Sequence, residues 1–316
     1  MNILIAGGCG FIGSNLTKHL LNTGHSVTVI DNLITSSVEN IKQFSDNKSF
    51  LFINADITSH KSFEALSNIE IDLVYHLASP ASPIQYARFP LETLKANSMG
   101  TSFLLELAHK KKARLVYAST SEIYGDPLEH PQKETYWGNV NTRGPRSCYD
   151  ESKRLGETLC YVYHSKYGVD TRTVRIFNTY GPNMEKEDGR VISNFIVQSL
   201  TDRPITIYGD GSQTRSFCYV EDLVLGLVAA GQEPIPGEVV NLGNPMEHTI
   251  HEIALLIKKL TASDSEIVFK KLPQDDPKKR NPHMEKVHKL LGWQPVISLE
   301  QGLQYTITYF KNRFSL

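Results

Sequence analysis

The stretch MNILIAGGCGFIG, residues 1–13, decides the fold of the first half of the chain. Its apolar run is typical of a buried strand, and Gly7, Gly10 and Gly13 follow where a helical pattern opens. Glycine at these positions allows a tight turn, close approach of the backbone to a pyrophosphate, and contact between helix and strand. The helix amino terminus then presents its positive dipole end to the anion. The pattern predicts a dinucleotide site.

The acid at the end of the second strand indicates which dinucleotide binds. Asp31 ends the run SVTVID, 18 residues past Gly13. A carboxylate at that point can bind both ribose hydroxyls and would repel a 2′-phosphate, which favours NAD over NADP. A turn that binds no ligand is the weaker interpretation in this context.

Apolar runs alternate with helical patterns throughout the first half. The stretch 91–112, for example, has helical length and carries its apolar side chains mainly on one face. This alternation is typical of a parallel sheet covered on both sides. We therefore predict the α/β class and a Rossmann-like doubly wound parallel sheet. Its predicted strands are NILIAG, SVTVID, FLFINADI, LVYHLAS, RLVYAST and TRTVRIFN.

Pro and Gly become frequent after about residue 178. In this second half TIHEIALLIKKL is typical of a helix, with Thr249 as N-cap and Glu252 completing a capping box. KVHKLLGWQP predicts a helix that ends at Gly292. We expect a smaller α/β lobe over the carboxyl edge of the sheet.

The higher frequency of Pro and Gly after about residue 178 suggests a division into two domains. Residues 1–177 are expected to form the NAD-binding Rossmann domain, to which 216–243 returns. Residues 178–215 and 244–316 are expected to form the substrate-binding lobe.

The composition excludes several classes of partner. The 33 basic and 34 acidic residues leave a formal charge of -1, so no overall basic field points to nucleic acid or to a membrane surface. No leader and no membrane-spanning run is recognisable, so a soluble, cytoplasmic protein is expected. Scattered cysteines predict reduced thiols. We expect His76 to be a core residue without chemistry, and QDDP (274–277) and EKED (185–188) to be solvated turns rather than metal sites.

A tyrosine and a lysine form the candidate catalytic pair. Tyr149 and Lys153 are four residues apart in YDESK, so on a helix they share a face. A free phenol with a pKa near 10 is a poor base at neutral pH. A neighbouring ammonium, together with a positively charged nicotinamide, would favour the phenolate. Thr120 ends the fifth strand and can add a hydroxyl that holds the reacting oxygen.

Together these motifs resemble the extended short-chain dehydrogenase/reductases that act on nucleotide sugars, and most closely their UDP-glucuronate decarboxylase (UDP-xylose synthase) branch. The resemblance covers nearly the whole chain. Its motifs are HLASPASPIQY, STSEIYGDP, HPQKETYWGNVNTRGPRSCYDESKR, RIFNTYGPNM, DGRVISNFI, YGDGSQTRSFCYV, NLGNPMEHTI and QDDPKKRNP.

Glu122 distinguishes this branch from its neighbours. In the related 4-epimerases the catalytic strand end continues with small or hydroxyl residues, and in the sugar 4,6-dehydratases it is Thr-Asp-Glu. This chain has Thr120, Ser121 and Glu122. It lacks the acid that a dehydratase needs at position 121, and Glu122 departs from a simple epimerase.

The resemblance implies a reaction through a 4-keto sugar. Tyr149, assisted by Lys153 and Thr120, takes the C4 hydroxyl proton while NAD accepts the C4 hydride, which it later returns. The ketone lies beta to the C6 carboxylate, so carbon dioxide can leave while the electrons of the broken bond form an enolate on the sugar, which Tyr149 and Thr120 stabilise. Glu122, or a water that it positions, then protonates C5. The product is UDP-xylose, and no metal is needed.

The resemblance also assigns binding residues. For NAD they are Gly7, Gly10, Phe11, Ile12, Gly13, Asp31, Asn32, Asp56, Ile57, Leu77, Ala78, Ser79, Tyr149 and Lys153. For the UDP-sugar substrate they are Lys95, Ser121, Asn178, Arg190, Val191, Tyr208, Gln213, Arg215 and Arg280. Guanidinium groups suit phosphate and carboxylate alike. For Lys95 a solvated surface charge is a serious alternative, and Lys279 offers a second register for Arg280.

Three alternatives stay open at this point. A UDP-glucuronate 4-epimerase and a decarboxylase that releases the keto-pentose share the oxidation step with the favoured reaction. A non-catalytic NAD-binding sensor is possible too, although it would not need Tyr149 and Lys153. The resemblance further implies a homodimer built by pairing two long helices per subunit, near 91–112 and 150–167.

Overall fold

A parallel sheet occupies the centre of the molecule. The structure, a computed structural model, describes residues 1–272 and 279–316, and the strands below are those found there. In chain order they are β1 (Asn2–Ala6), β2 (Ser26–Asp31), β3 (Phe50–Asn54), β4 (Leu73–His76), β5 (Arg114–Thr120), β6 (Thr171–Ile176), β7 (Thr179–Tyr180), β8 (Ile205–Tyr208), β9 (Thr214–Ser216), β10 (Cys218–Tyr219), β11 (Val239–Leu242), β12 (Glu247–Thr249) and β13 (Ile267–Lys270).

Helices cover the sheet and build the outer part of the molecule. None of those within the described ranges is both long and apolar enough to cross a bilayer. They are α1 (Phe11–Asn22), α2 (His60–Ser67), α3 (Pro83–Arg88), α4 (Pro90–Lys95), α5 (Thr101–Lys111), α6 (Ser147–Tyr167), α7 (Val191–Leu200), α8 (Val220–Gln232), α9 (Ile250–Thr261), α10 (Glu285–Leu291) and α11 (Leu299–Phe314).

The order of the strands creates a crevice for a ligand. In the described part of the chain the central sheet has seven strands in the order β11-β6-β5-β4-β1-β2-β3, all parallel. The connection reverses direction between β1 and β4, and ligands of open parallel sheets bind beside such a switch point, outside the carboxyl ends of the strands. The glycine loop after β1 and the end of β5 at Thr120 lie at this edge.

The predicted α/β class and doubly wound sheet are confirmed. The six predicted runs form β1 to β6 in the predicted positions. Helix α9 begins with the predicted capping box, since Glu252 N donates to Thr249 Oγ1 and Thr249 N donates to the Glu252 carboxylate. Helix α10 ends at Gly292, which adopts the left-handed conformation. Strand β11 adds an edge to the sheet that the apolar runs did not predict.

Two apolar layers hold the helices against the sheet. Successive residues of a strand point to opposite faces, so Ile3 and Ile5 of β1 join one buried cluster while Leu4 and Ala6 join the other. The first cluster includes side chains from α1 and α8, and the second includes side chains from α5 and α6. The sheet is therefore buried on both faces, as its continuous apolar strands predict.

Short strand pairs outside the central sheet carry two of the candidate substrate residues, Tyr208 and Arg215. Strand β7 pairs with β10, β8 pairs with β13, and β9 pairs with β12. Arg215 lies in β9 opposite His248 of β12, and Tyr208 ends β8. These pairs hold polar side chains beside the carboxyl edge of the sheet.

The long predicted helix at 91–112 is interrupted by one wide turn. Helices α4 and α5 are joined by a π-helical turn, Ala96–Gly100, so the helical backbone runs without a break from residue 90 to 111. Asn97 in this turn is fully buried and its Nδ2 donates to Ser79 Oγ and Ser152 Oγ, at 2.9 and 3.1 Å. Wide turns of this kind are frequent at functional sites.

Candidate active site

A cavity of about 540 Å³ lies at the carboxyl edge of the sheet. It is bounded by the glycine loop, the end of β5, the start of α6 and the strand pairs of the second half. The predicted site residues in its wall are Gly7, Gly10, Phe11, Ile12, Gly13, Leu77, Ser79, Thr120, Ser121, Glu122, Tyr149, Lys153, Asn178, Arg190, Val191, Tyr208, Gln213, Arg215 and Arg280.

Several predicted cofactor residues lie outside the cavity wall. Asp31 is buried beneath the glycine loop, where its carboxylate accepts hydrogen bonds from Cys9 N at 3.0 Å and Ser36 Oγ at 2.8 Å. Asn32 Nδ2 donates to Asp56 Oδ2 at 2.9 Å. The second strand end therefore forms a polar border next to the loop.

Three more predicted residues lie behind or beside the wall. Ala78 supports the glycine loop from below, and Ile57 packs against the π-helical turn at Gly100. Lys95 is exposed and lies near Asp56. Burial acts to raise the pKa of Asp56, but hydrogen bonds from Thr58 outweigh it and, together with the charge of Lys95, lower the pKa. Lys95 thus lies beside Asp56 and outside the cavity wall.

The glycine loop forms a cradle that side chains would fill. A Cβ atom at Gly13 would lie 2.2 Å from the backbone oxygen of Gly7, and one at Gly7 would lie 2.7 Å from the backbone of Ala78. Gly7 also has a φ of +83°, which glycine adopts without strain. The loop leads into the amino terminus of α1, where backbone N–H groups are free to bind an anion. These features fit the pyrophosphate of a dinucleotide.

Tyr149 and Lys153 share the inner face of α6. Tyr149 is 6% exposed, and its ring stacks on Tyr86 with centroids 5.2 Å apart. Lys153 Nζ donates to the backbone oxygen of Ala118 at 2.7 Å and lies 5.8 Å from the centre of the Tyr149 ring. Thr120 hydrogen-bonds with the phenol. The three predicted residues converge at the end of β5.

Burial controls the protonation of this pair. It raises the pKa of Tyr149 to about 12, although the hydrogen bond with Thr120 acts in the opposite direction. Burial also lowers the pKa of Lys153 from 10.5 to about 7. The phenolate is expected when the lysine charge acts together with a bound, positively charged nicotinamide; in the protein alone desolvation dominates and the phenol keeps its proton.

Replacing Lys153 with methionine should stabilise the cofactor-free protein. Because burial lowers the Lys153 pKa, the cost of the ammonium is fully present below pH 7 and declines as the pH rises from 7 towards 10.5. We expect the free energy of unfolding to rise by roughly 1–4 kcal/mol at pH 6. Thermal melts of both proteins at pH 6 and pH 9 measure the difference, which should be smaller at pH 9. An equal or lower stability at pH 6 would contradict the argument.

Glu122 lies between two guanidinium groups. Both terminal nitrogens of Arg280 donate to its carboxylate, at 2.5 and 2.7 Å, and Arg146 Nη2 donates to Oε2. Burial disfavours the charge on Glu122, but Arg280 and then Arg146 outweigh it and lower the pKa to about 2. Glu122 is therefore ionised at neutral pH and holds no proton to donate. Of its two predicted roles, only the positioning of a water fits this arrangement.

Two residues of this cluster were missed by the sequence analysis. Arg146 stands three positions before Tyr149 in the quoted motif GPRSCYDESK and immediately precedes α6. Asp150 is buried next to Tyr149, and burial followed by the charge of Glu122 raises its pKa to about 7. The position of Arg146 beside the catalytic helix was the available signal. No pattern in the sequence marks Asp150.

The expectation of a solvated turn at EKED is wrong for its last residue. The side chain of Asp188 is only 14% exposed, lines the cavity, and its Oδ2 lies 3.4 Å from Nε of Arg190. Burial raises the pKa of Asp188. Gly189, between the two residues of this pair, has a φ of +79° and lies against Ile84, and both border the cavity. The QDDP turn lies outside the described residues.

The remaining polar wall lies on the side of the strand pairs. Arg215 is 6% exposed and its Nη1 donates to Thr214 O at 2.8 Å. Gln213 Nε2 donates to Tyr208 O at 2.5 Å. These groups lie apart from the Glu122 cluster in the sequence but border the same cavity. The cavity thus has two cationic regions, one near Tyr149 and one near Arg215.

Of the residues predicted to be inert, His76 and three of the four cysteines are buried, and Cys148 is half-buried. His76 is fully buried, its Nε2 lies 3.0 Å from Thr101 Oγ1, and burial lowers its pKa to about 3. The four cysteines are free thiols, and burial raises the pKa of Cys9, Cys148, Cys160 and Cys218. Raised thiol pKa values oppose nucleophilic reactivity.

Comparisons with known proteins agree with this geometry. The family described as NAD dependent epimerase/dehydratase matches residues 3–243. UDP-glucuronic acid decarboxylase 1 of Xenopus tropicalis is 52% identical over 309 residues, 98% of this chain and 72% of that protein. The protein of the same name from Danio rerio is 54% identical over 308 residues, with the same coverage.

A solved structure extends the similarity to the fold. UDP-glucuronic acid 4-epimerase of Bacillus cereus, in complex with UDP-glucuronic acid and NAD, superimposes with a TM-score of 0.89. It is 32% identical, and the match covers 99% of this chain and all of that one.

Proposed function

Because this chain belongs to the NAD dependent epimerase/dehydratase family, we propose that it converts UDP-glucuronate to UDP-xylose by an NAD-dependent decarboxylation. The observation that carries the proposal is the cluster of Glu122, Arg146 and Arg280 beside the Tyr149 phenol. When carbon dioxide leaves a 4-keto sugar, negative charge moves onto the C4 oxygen. Two guanidiniums near that oxygen, balanced by one ionised carboxylate, stabilise such charge.

The residues of the cavity have distinct roles in this reaction. When bound, NAD would accept a hydride from C4 and return it to C4 after the decarboxylation, so that the cofactor is regenerated, and Gly7, Gly10 and Gly13 would hold its pyrophosphate. With NAD bound, the positive charge of the nicotinamide, together with Lys153, would favour the Tyr149 phenolate, which accepts the C4 hydroxyl proton while Thr120 holds the same oxygen. The electron pair of the C5–C6 bond moves into the enolate as carbon dioxide leaves, and C5 then takes a proton from water.

The nucleotide is proposed to bind on the side of the strand pairs. Arg190, Arg215 and Asn178 lie in the cavity wall, where guanidinium groups suit a diphosphate. Tyr208 and Gln213 would line the uridine side. Diphosphate binding would replace Asp188 as the partner of Arg190, which exchanges one ion pair for another.

Product analysis with purified protein tests the proposed reaction. UDP-glucuronate labelled with ¹⁴C at C6 should release labelled carbon dioxide in equal amount to UDP-xylose, without net NADH. UDP-galacturonate as product would instead support the epimerase alternative, which the similarity to the Bacillus cereus enzyme favours. Keto-pentose with accumulating NADH would indicate early release. Bound NAD without any product would support a sensor.

A homodimer is proposed through the helices α4, α5 and α6. Helices α4 and α5 with their π-turn expose Leu91 at 62% and Met99 at 57%, and α6 exposes Tyr161 at 71%. Apolar side chains clustered on neighbouring surface helices are typical of an interface.

Light scattering of the purified protein tests the dimer. The double variant Leu91→Glu/Tyr161→Glu should have the molar mass of a monomer, because charged groups replace two apolar side chains of the proposed interface. Val296→Glu is the matched control, since Val296 is 74% exposed on a loop away from these helices in sequence. A wild-type monomer would contradict the proposal.

We propose that the chain forms two domains: an NAD-binding domain of residues 1–177 and 216–243, and a substrate-binding lobe of residues 178–215 and 244–316. Residues 216–243 contribute α8 and β11 to the central sheet and its cover, which supports their return to the NAD-binding part. The cytoplasmic location stays a prediction.

A further inference from the structure

Arg280 depends on other parts of the chain for its position. It lies in a short segment, residues 279–283, that forms no helix and precedes α10. Its side chain is 5% exposed and reaches Glu122, which is 158 residues away in the sequence. A guanidinium on an irregular segment keeps its place only if neighbouring elements hold the backbone.

Gln132 holds this segment at three points. Gln132 N donates to Asn281 O at 2.9 Å, and His283 N donates to Gln132 O at 2.9 Å. Asn281 N also donates to the side-chain Oε1 of Gln132 at 2.8 Å. Pro282, between the two bonded residues, forms a bridge with Gln132. The residue next to Arg280 is thus bonded through both its N–H and its C=O.

Gln132 is itself anchored in the interior. It is fully buried, its Nε2 donates to Glu129 O at 2.7 Å, and Asn241 Nδ2 donates to Gln132 O at 3.0 Å. It is not part of the cavity wall and cannot reach a substrate there. Any effect of Gln132 on the reaction must therefore pass through the segment that it holds.

The same frame also fixes Glu122. Tyr124, two residues after Glu122, donates from its hydroxyl to Asn241 Oδ1 at 2.8 Å. Arg175 Nη1 donates to the Tyr124 hydroxyl at 2.9 Å. The amide of Asn241 therefore connects the turn that carries Glu122 to the residue that holds the Arg280 segment. The Asn241 side chain of β11 therefore contributes to the positions of both Glu122 and Arg280.

We propose that Gln132 is a positioning residue that aligns the Arg280 guanidinium with Glu122 in the catalytic centre. The proposal rests on the decarboxylase function proposed above. Loss of the Gln132 side chain would free Asn281 N and let Arg280 shift, while the backbone bonds and the apolar volume remain. Displacements of about 1 Å at a catalytic centre cost on the order of 10²-fold in rate.

The test variant is Gln132→Met, which keeps the length of the side chain and removes both polar atoms. We expect kcat for UDP-xylose formation to fall about tenfold or more, with the Kd of UDP within about twofold of wild type. UDP lacks the glucuronosyl group of the substrate, so it does not extend to Arg280, and a general loss of structure would weaken its binding. Gln132→Asn, which is too short to reach Asn281 N, gives the same test if the methionine variant does not fold.

Gln198→Met is the matched control for stability. Gln198 Oε1 also accepts a backbone hydrogen bond, from Thr206 N at 3.0 Å, but it lies on α7. The melting temperature of Gln198→Met shows how much stability such a hydrogen bond contributes. The kcat of each Gln132 variant is then measured well below the melting temperatures of that variant and of Gln198→Met.

A double-mutant cycle with Arg280→Ala decides whether Gln132 acts through Arg280. If it does, Gln132→Met should not lower kcat further once Arg280 is alanine. A kcat of Gln132→Met within twofold of wild type, or losses that multiply in the double variant, would overturn the proposal. Wild-type protein that releases no carbon dioxide would instead refute the proposed function, so the two failures are distinguishable.

Discussion

Replacement of Tyr149 by phenylalanine is expected to lower kcat by about 10²–10⁴-fold, the range that a general base contributes. The ring would stay stacked on Tyr86, with which it already packs at 5.2 Å. Only the hydroxyl that hydrogen-bonds with Thr120 would be lost. NAD and UDP-glucuronate should still bind with nearly unchanged affinity. Single-turnover absorbance at the NADH band measures the oxidation step directly, and titration calorimetry measures binding.

Tyr163→Phe is the control for this experiment. Tyr163 lies on the same helix, α6, and is half-buried outside the cavity wall. Its variant should retain kcat within about twofold, since surface changes away from a site have small effects. If Tyr149→Phe kept more than a tenth of wild-type kcat, Tyr149 could not be the base, and the sensor alternative would need a new examination.

Glu122→Gln is expected to impair both catalysis and stability. The amide keeps one acceptor oxygen but replaces the other with a donor that faces a guanidinium, so Arg280 and Arg146 lose their shared anion. Breaking a buried pair costs about 3–5 kcal/mol of unfolding free energy. We expect kcat to fall about 10²–10³-fold, in line with the loss of one oriented charged group. Urea denaturation and product formation measure the two effects.

The pH dependence of the Glu122 effect has a definite sign. Arg280 and Arg146 hold the folded-state pKa near 2, against an ordinary value of 4.5. The stabilisation is therefore complete above about pH 4.5 and is lost as the pH falls towards 2. The stability difference between wild type and Glu122→Gln should be constant from pH 8 to pH 5 and shrink below pH 4.5.

Glu157→Gln separates stability from catalysis. Glu157 is another partly buried carboxylate paired with an arginine, since Arg175 Nη2 donates to Glu157 Oε2 at 2.8 Å. It lies outside the cavity wall. A comparable loss of stability with a much smaller loss of kcat is expected. Equal losses of kcat in the two variants would mean that Glu122 acts only through the stability of the fold.

Local patterns predicted most of the central sheet. Apolar strands, the glycine loop and the capping box depend on neighbours in the sequence, so the positions of β1 to β6 and the start of α9 could be predicted. Strand β11 could not, because its four residues become a strand through pairing with β6. Short strands depend on their partners more than on their own composition.

The site was predictable where a motif carried it. Tyr149, Lys153 and Thr120 converge as their spacing and strand position predict. The protonation of Glu122 was not predictable, because its two arginine partners approach from positions 146 and 280. Asp188 was missed for the same reason, since its low exposure depends on its place in the cavity wall and on Arg190. Charge and burial of this kind are set by tertiary contacts.

The pairing of β6 with β11 has a consequence for the synthesis of the protein. Until residue 242 has left the ribosome, β6 is an edge strand with unpaired backbone groups on the side away from β5. Such edges recruit strands from other chains. Nascent chains of this protein should therefore need shielding by a chaperone until β11 emerges, and a fragment cut at residue 177 should aggregate rather than bind its coenzyme alone.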